Sequence, residues 1–299
     1  MDLGFMIGHG PLRSYVMGYE RCQSQVDASE EEISKMSDLV TEAIESGALG
    51  FSTSRTILHR DVHGVYVPGT EASSEEMKSL AFAIDRAGEG TLEIVSDWLD
   101  QEIEMSWMKE YVEKSDCGLT VLQTNGDSVK TILYCEEQFL KGKNVRPQFP
   151  GRNVGLMFGL ESSLHPFIGH PSYKDIAHLP LNERLSIMRD PAFKQKILNE
   201  SPSFREDLQK AAKEQKSNKT KEEIKAEAEI GKKLISNYET QFILSDPPNY
   251  EPTREDSIAY LAELRSQSEE EVIYDELIKD DGKSLIYACF TPYEKYKLK

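Results

Sequence analysis

The order of secondary-structure signals in residues 1–150 constrains the fold more than any other feature of the sequence. Short apolar or β-branched runs alternate with longer segments whose apolar residues recur at helical spacing. Strands that are separated by helices run parallel, because each helix returns the chain to the same end of the sheet. This order predicts an α/β fold built on a parallel sheet. The predicted strands are 3–7, 48–52, 91–96, 119–122 and 145–149.

The helices between these strands have clear start and stop signals. Ser29 with Glu32, and Ser73 with Glu76, have the spacing of a capping box, and Gly47 has the position of a C-terminal cap. An open doubly wound sheet and a closed (β/α) barrel both fit this order. A dinucleotide-binding sheet is disfavoured, because no G-x-G-x-x-G motif follows the first strand. The short apolar strands suggest a sheet that is covered on both faces.

The second half of the chain has a different character. Helix signals dominate from Gly151 onward, with a third capping box at Ser268 and Glu271 and one short predicted strand at 242–244. The segment 210–233 is rich in Lys, Glu and Ala, which indicates an exposed helix or a partly disordered arm. We therefore expect three parts: a partial barrel over 1–150, a mainly helical insertion over 151–252, and C-terminal helices over 253–299 that return to the barrel.

Charge and cysteine usage exclude several classes of protein. There are 35 Lys and Arg residues against 52 Asp and Glu, a net charge of −17, which disfavours nucleic acid and anionic membranes as partners. No apolar run is long enough to span a bilayer, and the first residues lack the features of a signal peptide. The four cysteines are widely spaced and contain no C-x-x-C pair. Free thiols and a cytoplasmic location are expected.

Polar residues follow each predicted strand, where the carboxyl ends of parallel barrel strands place an active site. Together they have the chemistry to bind an anionic small molecule, although no H-x-H or H-E-x-x-H motif for a metal is present. The candidate site residues are His9, Arg13, Ser54, Arg55, Thr56, His59, Asp97 and Gln123. Further polar residues at these strand ends are His63, Thr124, Asn125 and Arg152.

Several of these residues have a structural interpretation beside the functional one. His9 is either a hydrogen-bonded histidine at a strand end or a group that contacts substrate or a metal-bound water. Arg13 and Arg55 serve either in structural ion pairs or in binding a substrate carboxylate. Ser52 and Ser54 lack the G-x-S-x-G elbow, which speaks against a serine nucleophile.

Two blocks of sequence resemble the N-acyl-D-amino-acid deacylase (D-aminoacylase) group of the amidohydrolase superfamily. They are Gly-His-Gly-Pro-Leu-Arg at 8–13 and Gly-Ala-Leu-Gly-Phe-Ser-Thr-Ser-Arg-Thr at 47–56. Shorter matches follow in the same order at 67–70, 165–167, 179–181, 183–185 and 189–191. The resemblance covers nearly the whole chain and is weakest in 210–233 and after Ala288.

The resemblance implies a zinc-dependent (β/α)₈ barrel whose members hydrolyse the amide of N-acyl amino acids. It places this chain at about the third to the seventh strand, as an internal fragment that lacks the H-x-H and the late catalytic aspartate of the group. At the two strand ends where the group has metal-binding histidines, this sequence has Asp97 and Gln123. Asp97 is thus the implied metal ligand, and Gln123 is a poor one.

Two functions follow from the resemblance. In the first, the chain belongs to a metal-dependent hydrolase of linear amides but is inactive alone: His9 lies near the reacting centre, Arg13 or Arg55 holds a carboxylate, and His59 belongs to a closing loop. In the second, the chain is a non-catalytic remnant that needs missing segments or a partner, because five parallel strands leave two open edges.

Overall fold

The chain divides into two compact units, Met1–Pro150 (unit 1) and Gly151–Lys299 (unit 2). The computed structural model describes residues 2–23, 25–61, 65–98, 100–123, 129–151, 154–162, 164–203, 221–249 and 251–289. All four cysteines are free thiols, which confirms the expectation from their spacing. Within the described ranges, every helix is too short or too polar to cross a bilayer.

Unit 1 contains a five-stranded sheet in which every pair of neighbouring strands is parallel. The strands are β1 Ile7–Gly8, β2 Gly50–Arg55, β3 Thr91–Ser96, β4 Gly118–Leu122 and β5 Val145–Gln148. They lie in the sheet in the order in which they occur in the chain. The helices are α1 His9–Met17, α2 Tyr19–Gln23, α3 Glu30–Glu45, α4 Ser74–Ala87, α5 Gln101–Lys114 and α6 Val129–Leu140. This confirms the predicted α/β fold, a partial TIM-type barrel.

The strand register divides this sheet into a covered face and an open face. Phe51, Leu92, Leu119 and Val145 lie side by side and are buried in one core with the helices. Their chain neighbours point to the opposite face, because side chains alternate along a strand. On that open face, Ser52, Glu93 and Thr120 are adjacent and only partly buried. For the described strands, one face is therefore packed in the core, and the other is less covered than the short apolar strands suggested.

The helix starts follow the sequence signals with one informative difference. At α3, Ser29 and Glu32 form the complete capping box. At α4, Ser73 accepts the backbone N–H of Glu76, but the Glu76 side chain does not return to the cap. It is instead fully buried beside α1. The predicted second capping box is only half formed, because the Glu76 carboxylate contacts the buried side chains of Arg13 and His9 instead.

Unit 2 packs helices against a small antiparallel sheet. Its strands are β6 Gly155–Phe158, β7 Gln241–Ile243 and β8 Ile286–Cys289, with β8 in the centre. Its helices are α7 Pro171–Ile176, α8 Leu181–Met188, α9 Pro191–Leu198, α10 Lys221–Ser236, α11 Ile258–Arg265 and α12 Glu269–Leu277. Phe158, Phe167, Tyr274 and Ile286 are fully buried in its core. Tyr274 also donates a hydrogen bond to the backbone carbonyl of Met188.

The sequence indicated the mainly helical character of unit 2 and the strand near Phe242, but not β6 or β8. Residues on both sides of position 253 share one sheet, because β8 pairs with β6 and β7. Ser268 accepts the N–H of Glu271 at the start of α12, while the Glu271 carboxylate pairs with Lys194. Of the predicted arm 210–233, the part up to residue 220 lies outside the described residues.

Candidate functional site

Side chains alternate along β2, so the predicted site residues of this strand lie on different faces of the sheet. Thr53 and Arg55 share the parity of the buried Phe51 and belong to the covered face. Ser54 belongs to the open face. The candidate residues at the carboxyl ends therefore separate into structural networks among the helices and a smaller group on the open face.

His9 is the first residue of α1 and lies in a buried network. Its Nδ1 is 2.9 Å from Thr53 Oγ1, and its Nε2 is 2.8 Å from Glu76 Oε1. Its side chain is about 1% exposed, and burial lowers the pKa of the imidazole, against the opposing effect of the Glu76 carboxylate. Both ring nitrogens are thus occupied by side chains of the protein. This geometry favours the interpretation of His9 as a hydrogen-bonded structural residue.

Arg13 joins the same network one turn further along α1. Its Nε lies 3.0 Å from Glu76 Oε1, outside hydrogen-bond geometry, and its Nη2 donates to the backbone carbonyl of Val26 at 2.8 Å. Both charged side chains are almost inaccessible to solvent, at 1% and 0% exposure. A buried guanidinium that neutralises a buried carboxylate is not available to bind a substrate carboxylate.

Arg55 is also engaged in an ion pair. Its Nε donates to both carboxylate oxygens of Glu104 on α5, at 2.8 and 3.0 Å, and its Nη1 donates to the carbonyl of Ala72 at 2.8 Å. The two charged side chains are 11% and 9% exposed. The structure therefore favours the ion-pair interpretation for both arginines.

Asp97 follows β3 and fixes the turn that follows β2. Thr56 Oγ1 donates to Asp97 Oδ1 at 2.6 Å, and the backbone N–H of Ile57 donates to Oδ2 at 2.7 Å. Both carboxylate oxygens are therefore in use within the protein. Among the residues that the structure describes, no group of three or more His, Cys, Asp or Glu side chains is placed to hold a metal ion. The described residues do not fit the zinc site that the resemblance implied.

Gln123 lies at the end of β4 and is almost fully buried, at 1% exposure. Its Nε2 donates to the carbonyl of Val121 at 3.2 Å, and within the described part of the chain its Oε1 has no hydrogen-bond partner. The neighbouring Thr124 and Asn125, together with His63 and Arg152, lie outside the described residues.

Ser54 and His59 are the predicted site residues that meet on the open face. Ser54 Oγ lies 2.6 Å from Nδ1 of His59, and the His59 side chain is exposed. The His59 backbone N–H donates to the carbonyl of Thr56 at 3.3 Å, and its carbonyl accepts the N–H of Val67 at 3.2 Å. A hydroxyl and an imidazole are thus held in contact at the carboxyl end of β2, within reach of solvent.

The row Ser52, Glu93 and Thr120 was not among the predicted site residues. These residues face one another across β2, β3 and β4. No hydrogen bond or ion pair links their side chains to another described residue. Part of the signal was present in the sequence, because polar and apolar residues alternate over 91–94 in β3 and 119–121 in β4. The row gives the open face two hydroxyls and one carboxylate that are available to a ligand.

Comparisons with known proteins give one structural similarity. No protein-family model and no curated protein matches the sequence. The chain is similar to a solved structure of a D-aminoacylase mutant in complex with CuCl₂, at 16% sequence identity and a TM-score of 0.42. The match covers 95% of this chain and 43% of the D-aminoacylase chain. This chain thus spans less than half the length of the protein that it matches.

Proposed function

We propose that the open face of unit 1 is one wall of a binding site for a small linear amide, such as an N-acyl amino acid, in a D-aminoacylase-like hydrolase. The observation that carries the proposal is the row Ser52, Glu93 and Thr120, whose polar side chains have no partner among the described residues. An amide offers one N–H donor and one carbonyl acceptor, which a carboxylate and a hydroxyl complement. The four free thiols suit the reducing cytoplasm.

This proposal assigns binding, and not the hydrolytic step, to the described residues. The resemblance implied a zinc-activated water, but Asp97 uses both carboxylate oxygens within the protein, and no metal-binding cluster occurs in the described ranges. The arginines that were expected to hold a substrate carboxylate are already paired with Glu76 and Glu104. Recognition on the open face therefore rests on hydrogen bonds rather than on ion pairs.

A titration of the purified chain with N-acetyl amino acids tests the proposal by calorimetry or NMR. Thr120→Val keeps the shape of the side chain and removes its hydroxyl, which costs about 0.5–1.5 kcal/mol, or about two- to tenfold in affinity. Thr240→Val, in unit 2, is the matched control and is expected to bind like wild type. If the wild type does not bind, the proposal is refuted. If the purified chain hydrolyses the amide in a zinc-dependent reaction, the claim that the described residues only bind the substrate is refuted.

A second candidate function is association with a complementary segment or partner along the β1 edge, as the second interpretation of the sequence predicts. Leu3, Phe5 and Tyr15 are more than 70% exposed there. Tyr15 also lines a groove of about 370 Å³ between α1 and α3, whose other lining residues are mainly apolar, among them Leu39. Exposed apolar surface at a sheet edge is a site of association.

The opposite edge of the sheet is less suited to strand pairing. Pro147 has no N–H, and the N–H of Val145 donates to the carbonyl of Lys143. Light scattering of the purified chain distinguishes the candidates: we expect concentration-dependent association that Phe5→Lys and Tyr15→Lys reduce. A monodisperse wild-type monomer with a cooperative melt contradicts this second function and leaves the first intact.

A further inference from the structure

The contact between Ser54 and His59 has the geometry of a nucleophile and its base. At 2.6 Å, the Ser54 hydroxyl donates to Nδ1 of His59 when the ring proton is on Nε2. A serine hydroxyl is a weak nucleophile by itself and becomes reactive when an adjacent base accepts its proton. The absence of a G-x-S-x-G elbow excludes one way of presenting a serine, but not this one.

The surroundings hold this pair in place. The turn that begins at Thr56 is fixed by the two hydrogen bonds to Asp97, at 2.6 and 2.7 Å. The backbone of His59 is bonded on one side to Thr56 and on the other to Val67. The backbone that carries the imidazole is therefore bonded on both sides, and the ring itself contacts Ser54. Positioned groups of this kind lose less entropy when they react.

The pair is also accessible. Ser54 lies at the carboxyl end of β2 on the open face, and the His59 ring is exposed. This distinguishes it from the His9 network, whose imidazole is nearly inaccessible and bonded at both nitrogens. An acyl donor can reach the Ser54 oxygen from solvent, and His59 can pass the proton on to water.

We propose that Ser54 and His59 form a metal-independent nucleophile–base pair that takes the acyl group of an activated ester. Ser54 Oγ attacks the ester carbonyl carbon while its proton moves to His59 Nδ1. The new Oγ–C bond forms, the ester C–O bond breaks, and the aryl oxide leaves. Water then attacks the acyl-serine, returns the serine hydroxyl and releases the carboxylic acid. The step needs no oxidant, reductant or metal.

The test uses p-nitrophenyl acetate and the purified chain in the presence of EDTA. We expect a burst of p-nitrophenolate and one acetyl group on the peptide that contains Ser54, identified by mass spectrometry. Peptide mapping separates this product from acetylated lysine or cysteine. Ser54→Ala removes the modified site, and His59→Gln lowers the rate at Ser54 by about a hundredfold, the usual effect of losing a general base.

The matched controls are Ser106→Ala, an exposed serine on α5, and His178→Gln, an exposed histidine of unit 2. Both are expected to react like wild type. Wild-type protein without acetyl-Ser54, or equal acetylation of Ser54 in His59→Gln, overturns the proposal, provided that tryptophan fluorescence shows each variant folded. Since the assay needs neither zinc nor an N-acyl amino acid, its failure is distinguishable from a failure of the proposed amide binding.

Discussion

Replacing Glu76 with glutamine removes the negative charge from the buried network and leaves the Arg13 guanidinium without its ion pair. Both side chains are buried, at 1% and 0% exposure, so water does not compensate the remaining charge. Loss of one partner from a buried pair typically costs about 3–5 kcal/mol. We expect the lower end, about 3 kcal/mol, because Arg13 keeps its hydrogen bond to Val26 and glutamine still offers an acceptor to His9.

Urea unfolding followed by tryptophan fluorescence measures this effect in unit 1 alone. The chain has two tryptophans, Trp98 and Trp107, and both lie in that unit. With a slope of about 2 kcal/mol per molar urea, a loss of about 3 kcal/mol lowers the midpoint by about 1.5 M. Glu75→Gln is the matched control, since its side chain is 78% exposed, and a change within about 0.5 kcal/mol is expected.

A double replacement separates the pair from its surroundings. If the cost of Glu76→Met comes from the uncompensated guanidinium, then adding Arg13→Met recovers part of it, because two apolar side chains of similar length leave no buried charge. The coupling energy is expected to be about 0.5–3 kcal/mol. The reasoning is refuted if Glu76→Gln unfolds at the same urea concentration as Glu75→Gln, or if the two methionine replacements are simply additive.

Two further predictions concern the backbone of unit 1 and the pH dependence of unit 2. Gly50 has φ +152°, and a Cβ there would lie 1.9 Å from the carbonyl oxygen of Thr91. Gly50→Ala is therefore expected to lower the free energy of unfolding in urea by more than about 3 kcal/mol. Gly47 has φ +104° and open space around it, so the control Gly47→Ala is expected to cost about 1 kcal/mol. Burial lowers the pKa of His165 from 6.5 to about 3, so the unfolded chain binds a proton that the folded one does not. Stability conferred by His165 is therefore present above pH 6.5 and falls by up to about 1.4 kcal/mol per unit toward pH 3. Protection factors from hydrogen exchange around Phe167 should show this slope and lose it in His165→Asn; an unchanged slope in the variant would exclude His165 as its origin.

The parallel sheet of unit 1 was predictable because its signals are local. The strand at 91–96 is a β-branched run bounded by Gly90, and the structure gives it the same limits. In unit 2, β6 and β8 are four residues each and pair with strands far away in the chain. An apolar run of that length does not distinguish a strand from a buried helix turn. Their pairing is set by tertiary contacts that no local pattern encodes.

In the candidate site, the partners of individual side chains could not be predicted from local sequence patterns either. The carboxyl ends of the strands predicted which residues lie near one another, but not their partners. Glu76 had the spacing of a capping residue, and its true partners, His9 and Arg13, are more than sixty positions away in the sequence. The capping interaction of an exposed glutamate contributes about 1 kcal/mol, less than the cost of leaving the buried Arg13 charge unpaired. The Glu76 carboxylate therefore lies beside Arg13, where it prevents the greater loss of stability.

The same comparison of magnitudes decides what the carboxyl edge of unit 1 offers to a ligand. Each partner of Arg13, Arg55 or Asp97 is a polar or charged group in the interior. Leaving that group without its contact would cost more free energy than a new contact at the surface would provide. To bind a substrate carboxylate, Arg13 or Arg55 would have to give up its ion pair, while Asp97 already accepts one hydrogen bond at each carboxylate oxygen. The row Ser52, Glu93 and Thr120 on the open face and the pair of Ser54 and His59 are not engaged in such buried contacts. Chemistry at this edge therefore has to begin with the hydroxyl groups, the Glu93 carboxylate and the His59 imidazole, and not with Arg13, Arg55 or Asp97.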